Sequence, residues 1–287
     1  MVTIERFIKK IFPKFYKMGY TDSELKSFVE GMIKVDEILK KLSPDHIIAP
    51  LMGAIPFIDV LAIINPNLDL NSVEYSPETS KFENLGDLIS DWYSHFISQK
   101  FLEDEELNLV SINEVVSGTS AVRSYSFFSK VLERIAKEQV AELRGQNPST
   151  KDKLFMEEYK RRVTDLKGRI LYKTIGIEDS KGVKQRDSNK RYNKLKRENH
   201  VIPVSVEKII PMDNPMYSPA QLEFSHRNGH ERPFYFPKIA SFNMTPEYLE
   251  FLQDIARYIG ADPQKVGPVN QSKILDFPRY LSDRLKK

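Results

Sequence analysis

The sequence contains no cysteine among its 287 residues. Disulfide bonds and cysteine-ligated zinc sites are therefore excluded, which agrees with a protein that works in a reducing compartment. Long apolar runs are also missing, since no stretch approaches the ~18 consecutive apolar residues of a membrane-spanning helix. The N-terminal segment MVTIERFIKKIF is amphipathic and lacks the apolar core of a signal peptide. We therefore expect a cytoplasmic protein without a membrane-spanning segment.

An excess of charge of one sign is lacking too, because 43 Lys and Arg are balanced by 40 Asp and Glu, for a formal net charge of +3. So small a charge attracts no polyanion by itself, and any affinity for nucleic acid must come from a local patch. The remaining composition is ordinary for a globular protein, with 40% hydrophobic and 29% charged residues. The length allows one large domain or two small ones.

The stretch Leu107 to Arg123, LNLVSINEVVSGTSAVR, carries the most specific pattern. Its apolar beginning predicts a strand that ends in the polar pair Asn113 and Glu114, and the residues after Ser120 predict a helix. The connecting residues are small and rich in hydroxyl groups: Ser117, Gly118, Thr119 and Ser120. Such a loop can hold a phosphate, because N–H groups at a helix N-terminus point to one spot. The same residues are good helix caps, so a buried strand before a capped helix also explains the pattern.

This stretch resembles the signature of the type I phosphoribosyltransferases, which is an apolar strand, two adjacent acidic residues and a Thr/Ser-Gly-x-Thr/Ser loop. The resemblance implies that Asn113 and Glu114 contact the ribose hydroxyls of phosphoribosyl pyrophosphate at the catalytic centre, and that residues 117–120 hold the 5′-phosphate. It also implies Mg²⁺ as cofactor and transfer of the phosphoribosyl group to a nitrogen nucleophile. The chain departs from the pattern twice, because Asn113 replaces an acid and the loop is shorter than usual.

A second strand–loop–helix pattern lies earlier in the chain. The run HIIAPL at 46–51 predicts a strand, and residues 55–64 predict a helix. In the phosphoribosyltransferases the loop after the first core strand contacts the pyrophosphate. Met52, Gly53 and Ala54 match that loop by position, although the basic residue often found there is missing.

The periodicity of the chain predicts an α/β fold. Further strands are predicted at 68–75, 169–177 and 201–210, and helices at 4–15, 25–42, 85–97, 122–140, 154–166 and 248–259. Strands separated mainly by helices indicate a mostly parallel sheet flanked by helices, with the two glycine loops at its carboxyl edge, where ligands bind. We divide the chain into an N-terminal helical segment (1–45), a phosphoribosyltransferase-like core with insertions (46–212) and a C-terminal extension or hood (213–287).

The segment 181–199, KGVKQRDSNKRYNKLKREN, has the strongest charge bias, with eight Lys or Arg and two Asp or Glu. It can neutralise phosphates of a nucleic acid or bind a protein partner, or it can be a solvated mobile loop or exposed helix. Tyr192 is its only aromatic residue, so it offers no stacking platform. A non-catalytic protein on the same fold, which senses a nucleotide or binds nucleic acid or a partner, is the alternative to a transferase. An unrelated α/β protein is the third possibility.

His226 and His230 are spaced like a helical metal pair. Gly229 and the nearby Pro233 disfavour a helix, and no third ligand is evident, so we predict no zinc site. The residues Thr21 to Glu24 offer caps for the helix predicted at 25–42, and Thr245 caps the last predicted helix, which ends before Gly260.

Overall fold

The computed structural model describes residues 19–51, 53–78, 85–101, 105–146, 152–213, 217–219, 222–227, 230–235 and 242–274. Its strands are β1 (His46–Pro50), β2 (Val73–Ser76), β3 (Leu107–Val115), β4 (Ile170–Asp179), β5 (Val201–Val206), β6 (Tyr217–Pro219), β7 (Leu222–Arg227), β8 (His230–Tyr235) and β9 (Phe242–Met244). Its helices are α1 (Asp22–Leu42), α2 (Ile55–Ile64), α3 (Leu85–Lys100), α4 (Thr119–Gln146), α5 (Asp152–Arg169), α6 (Val183–Ser188), α7 (Lys190–Arg197) and α8 (Pro246–Ile259). The helix predicted at 4–15 lies outside the described residues.

Five strands form one parallel sheet in the order β2-β1-β3-β4-β5. The predicted α/β class with a parallel, helix-flanked sheet is confirmed, whereas a sheet of the phosphoribosyltransferase type stays a prediction. The helices contact one another in two groups, α1 with α2 and α8, and α3 with α4 and α5. Right-handed crossovers place these groups on opposite faces of the sheet. The strand order reverses between β1 and β3, and the crevice beside such a switch point is where doubly wound folds bind ligands.

Local side-chain chemistry sets the helix ends that the sequence predicted best. Thr21 and Glu24 form a capping box at the start of α1, with the Thr21 hydroxyl accepting from the Glu24 N–H and the Glu24 carboxylate accepting from the Thr21 N–H. The helix ends at Ser43, whose φ of 42° is left-handed. At the start of α8 the Thr245 hydroxyl accepts from the Tyr248 N–H, and Gly260, with φ of 78°, ends this helix. Such caps satisfy the backbone groups that a helix end leaves open.

Several predicted strand boundaries are wrong. In two of them the backbone groups hydrogen-bond within turns or to a side chain and not to a neighbouring strand. β2 begins at Val73 instead of residue 68, since Asn65 and Asp69 hold the preceding residues in turns. β5 ends at Val206 instead of residue 210, since the next N–H, that of Glu207, donates to the Ser27 hydroxyl on α1 at 2.8 Å. β3 runs through Val115, so the polar pair lies inside the strand, and α4 begins at Thr119.

The helices α1 and α8 of the terminal segments belong to the main core. α1 buries Phe28 and Met32, and α8 buries Phe251 and Leu252, all in one cluster with the sheet. The Tyr248 hydroxyl on α8 donates to the buried Asp59 on α2. These contacts show α1 and α8 as parts of one helical layer, while the boundaries near residues 45 and 212 stay predictions. Among the helices described here, none has the length and apolar character to cross a bilayer.

Candidate functional site

The loop after β1 that was predicted from the sequence lies against the Glu114 side chain near the end of β3, at the carboxyl edge of the sheet. A Cβ atom on Gly53 would lie 3.1 Å from Glu114 Cδ and 3.2 and 3.3 Å from its two oxygens, so the β1 loop backbone lies against this carboxyl group. Ala54, next in the loop, is buried, and its N–H donates to the Pro50 carbonyl at 3.0 Å. Met52 lies outside the described residues.

The carboxyl group of Glu114 is the candidate functional group of this crevice. Its side chain is half-buried at the end of β3. Burial raises the pKa of Glu114, and the nearby Asp179 carboxylate raises it further. Within the described part of the chain, no hydrogen bond or ion pair engages its carboxyl oxygens. The group is therefore placed to accept hydrogen bonds from a ligand or to exchange a proton with one.

Asn113 is placed differently from its neighbour. Successive strand residues point to opposite faces of a sheet, so Asn113 faces away from the crevice side that Glu114 faces. Its side chain is 4% exposed, and its amide nitrogen has no hydrogen-bond partner among the residues that the structure describes. Of the predicted pair, only Glu114 lies against the β1 loop.

The hydroxyl-rich loop forms the N-terminus of the 28-residue helix α4. The Ser117 and Thr119 hydroxyl oxygens are 3.0 Å apart, and the Ser120 hydroxyl donates to the Glu114 carbonyl at 3.4 Å. Thr119 is exposed and the two serines are half-buried. The first N–H groups of a helix lack intrahelical partners and carry partial positive charge, so this loop can receive an anion.

Gly118 is required here by the fold itself. Its φ is +76°, and a Cβ atom would lie 2.3 Å from Cγ of the Tyr192 ring. Tyr192 is buried against this loop from the outside. The glycine of the phosphate-loop pattern therefore has a packing role that needs no phosphate.

The segment after β4, which contains α6 and α7, clamps the outer side of the loop. Arg186 donates to the Val115 carbonyl at 3.0 Å and lies 3.3 Å from the Glu178 carboxylate. The Asn189 side chain donates to the Ser117 carbonyl at 2.8 Å. The mobile-loop interpretation of 181–199 is thus wrong, because the segment forms two helices whose inner side chains, including Arg186, are buried.

Sequence reasoning missed the acidic pair Glu178 and Asp179 at the end of β4. Both are 7% exposed. Glu178 accepts from the Tyr192 hydroxyl at 2.6 Å and from Lys196 at 3.2 Å, and Asp179 accepts from the Gly182 N–H at 2.9 Å. An apolar strand that ends in two acids at the predicted ligand edge was the available signal.

A further missed carboxyl group follows β2. Glu78 accepts hydrogen bonds from the Tyr93 hydroxyl at 2.9 Å, the Ser76 hydroxyl at 3.0 Å and the Ser124 hydroxyl on α4. Burial raises the pKa of Glu78 to about 7, against the lowering effect of these hydrogen bonds. The loop after β2 is therefore tied to α4 close to the start of that helix.

The described residues offer no protein ligand set for Mg²⁺. No group of three or more His, Asp or Glu side chains among them is arranged to hold a metal ion. Asp179 is engaged by Gly182 and Arg186, which leaves Glu114 as the open carboxylate. His226 and His230 lie on the paired strands β7 and β8, opposite Glu231 and Arg227, and not on a helix.

A cavity of about 340 Å³ lies away from this crevice, beside the start of β4. Its lining includes Tyr125, Phe128, Lys173 and His200. The Tyr125 hydroxyl and His200 Nε2 are 3.0 Å apart, so its polar wall is internally hydrogen-bonded.

Comparisons of this chain with protein-family models, with curated proteins and with solved structures found no match.

Proposed function

We propose that the crevice between the loops after β1 and β3 binds the ribose phosphate part of phosphoribosyl pyrophosphate or of a nucleotide. The observation that carries the proposal is the Glu114 carboxyl group, which is half-buried, lies against Gly53 and has no partner among the described residues. The loop after β1 thus lies against the open carboxylate of the strand that leads into the hydroxyl-rich loop, and the two loops resemble different parts of one binding site.

The chemistry of the crevice suits the two ends of a ribose phosphate. The α4 N-terminus, with the hydroxyls of Ser117, Thr119 and Ser120, would receive the 5′-phosphate. The Glu114 carboxylate would accept hydrogen bonds from ribose hydroxyls, and such charge-assisted bonds are stronger than neutral ones. Anchoring both ends fixes the anomeric carbon, and positioning of this kind can lower a barrier substantially.

A transferase reaction would use that positioning. The lone pair of a nitrogen nucleophile forms a bond to the anomeric carbon, the carbon–oxygen bond to pyrophosphate breaks, and the nitrogen gives up a proton. Magnesium would enter as the counter-ion of the pyrophosphate group of the substrate, since the described residues offer no ligand set of their own for it. The second candidate is binding without turnover, which is favoured by the buried Asn113 amide at a position where the resembling family has an acid.

Calorimetric titration with phosphoribosyl pyrophosphate and magnesium tests the binding proposal. We expect a micromolar dissociation constant for the unmodified protein. In Glu114→Gln and Thr119→Ala, each lost hydrogen bond to a charged group should weaken binding by about 1.5–3 kcal/mol, or roughly tenfold and more. Glu142→Gln and Thr164→Ala, which change exposed residues of α4 and α5, are the matched controls.

The outcomes separate the candidates. Release of pyrophosphate with a nitrogen acceptor supports the transferase, and binding without release supports the sensor. Failure of the folded, unmodified protein to bind the sugar pyrophosphate or any nucleotide contradicts the proposal, as does unchanged affinity in Glu114→Gln.

A further inference from the structure

Helix α7 has two chemically distinct faces. Tyr192 and Leu195 point inward and are buried against β3, α4 and β5. The residues on the other face are exposed and basic: Lys190, Arg191, Lys194 and Arg197. Successive members of this set lie one, three and three positions apart in the sequence, and this spacing keeps them on one side of a helix.

This outer face carries unbalanced positive charge. Lys194 lies 3.7 Å from the exposed Glu198. Lys190, Arg191 and Arg197 make no ion pair with any described residue, and neither does Lys184 on the adjoining helix α6. Some exposed cations elsewhere in the described chain have an acid nearby, as Lys26 has Glu30 and Arg161 has Glu158, whereas others, such as Lys34 and Lys137, have none. The distinguishing feature of α7 is the density of such cations, since three of its eight residues are exposed Lys or Arg without an acid partner among the described residues.

The basic face is held on a fixed support. Buried Arg186 is paired with Glu178 at 3.3 Å, and Asn189 caps α7 by accepting from the Tyr192 N–H at 3.1 Å. Asn193 donates from its side chain to the Arg186 carbonyl at 3.1 Å, which joins α6 to α7. Because these contacts fix the backbone, a partner need not order the segment on binding, and less conformational entropy is lost.

We propose that the outer face of α7, together with Lys184, binds the phosphate backbone of a double-stranded nucleic acid without sequence preference. The face presents cations along about 12 Å of helix. It exposes no aromatic ring, because Tyr192 is buried, so it lacks the stacking contacts that single strands use. It also lacks an apolar stripe for insertion into a membrane or for the core of a protein interface.

The surface lies on the outside of the clamp segment and does not depend on the ribose phosphate crevice. The inference therefore stands or falls separately from the proposed function. Glu114→Gln should leave duplex binding unchanged, because Glu114 lies at the end of β3 and not on the basic face.

Fluorescence polarisation of the full chain with a labelled DNA duplex, an RNA duplex and a single strand of equal length tests the proposal. Four phosphate contacts, one from each of the unpaired cations Lys184, Lys190, Arg191 and Arg197, predict a slope of log K against log salt of about −3.6 for duplex DNA. Lys190→Glu/Arg191→Glu/Arg197→Glu should weaken duplex binding roughly tenfold or more and flatten that slope by about 3. The control Lys34→Glu/Lys137→Glu/Lys160→Glu changes three exposed lysines elsewhere and gives the same net charge.

Circular dichroism and thermal unfolding establish that both triple variants are folded. Loss of duplex affinity in the α7 variant alone supports the proposal. Equal loss in both variants overturns it, because the effect would then follow net charge. Absence of duplex binding at about 50 mM salt, tighter binding to the single strand, or tighter binding to vesicles of anionic lipid also overturns it.

Discussion

Gly118 shows how one residue can satisfy a functional pattern for a structural reason. Its positive φ places it where side chains are strained, and the Tyr192 ring occupies the space of a Cβ atom. The Tyr192 hydroxyl in turn donates a hydrogen bond to the buried Glu178 carboxylate. The loop at 117–120 is therefore built by packing against α7, and its capacity to bind an anion rests on the hydroxyls and N–H groups that remain.

Substitution of Gly118 should destabilise the protein strongly. In Gly118→Ala the new methyl group must displace Tyr192 while the backbone stays left-handed, so we expect a loss of more than about 2 kcal/mol in the free energy of unfolding. Urea denaturation measures it. Gly168→Ala on α5 is the control, because no atom lies within 4 Å of its Cβ position. It should be neutral or stabilising by up to about 1 kcal/mol. Similar effects at both positions would contradict this account of Gly118.

The element that shapes the site most is the pair of helices α6 and α7. Arg186 joins three parts of the chain, because its guanidinium contacts carbonyls at the end of β3 and both carboxylates at the end of β4. The absence of a side chain at Gly182 permits this close packing, since a Cβ atom there would lie 2.3 Å from the Val116 carbonyl oxygen. The segment is therefore a structural clamp on its inner side, whatever its outer side binds.

Removal of the Arg186 guanidinium should release the clamp. Arg186→Met leaves the buried Asp179 without its cation and Glu178 with Lys196 as its remaining cation, and we expect a loss of about 3–5 kcal/mol, with faster hydrogen exchange in α6 and α7. Lys184→Met on the same helix is the control and should stay within about 0.5 kcal/mol. Adding Asp179→Asn to Arg186→Met should recover part of the loss. No recovery would indicate that lost packing, and not uncompensated charge, dominates.

The elements that the sequence predicted well are those set by local chemistry. Residues 55–64 form α2 as predicted, and Thr21 with Glu24 starts α1 through a capping box. The failures depend on distant partners. Arg186 meets the Val115 carbonyl across 71 positions, which no local pattern reveals. The sequence of 181–199 did not decide between a loop and a helix. The buried face of α7 consists of only two residues, Tyr192 and Leu195, and so leaves almost no helical periodicity of apolar residues.

The candidate site could be predicted only in part for the same reason. Gly53 and Glu114 were found because each follows an apolar run that ends at the carboxyl edge of the sheet. Glu78 was missed, since its burial depends on Tyr93 and Ser124 from two separate helices. The approach of side chains from two separate helices to one carboxyl group depends on the tertiary fold, which local sequence patterns do not show.

At the scale of the whole molecule, buried titratable groups make stability depend on pH in two opposing ways. Burial lowers the pKa of His46, which Lys100 lowers further, and burial likewise lowers the pKa of His200. An unfolded chain protonates these histidines first, so their contribution to stability is lost as the pH falls below about 6.5. Burial raises the pKa of Glu78 and of Glu114. The unfolded chain ionises these carboxyls first, so stability falls as the pH rises above their ordinary pKa.

Glu78→Gln isolates one of these terms. The folded pKa of about 7, against an ordinary value of 4.5, predicts that ionisation of Glu78 costs stability across that interval. The shift corresponds to about 3 kcal/mol at neutral pH and above. Relative to the unmodified protein, Glu78→Gln should therefore gain about 2–3 kcal/mol between pH 5 and pH 8. Urea denaturation of both proteins at several pH values measures this difference in the free energy of unfolding. The contributions of the histidines and of Glu114 are the same in both proteins and cancel from it. A difference that stays constant with pH would mean that Glu78 is already ionised in the folded protein, with the three hydroxyl donors outweighing its burial.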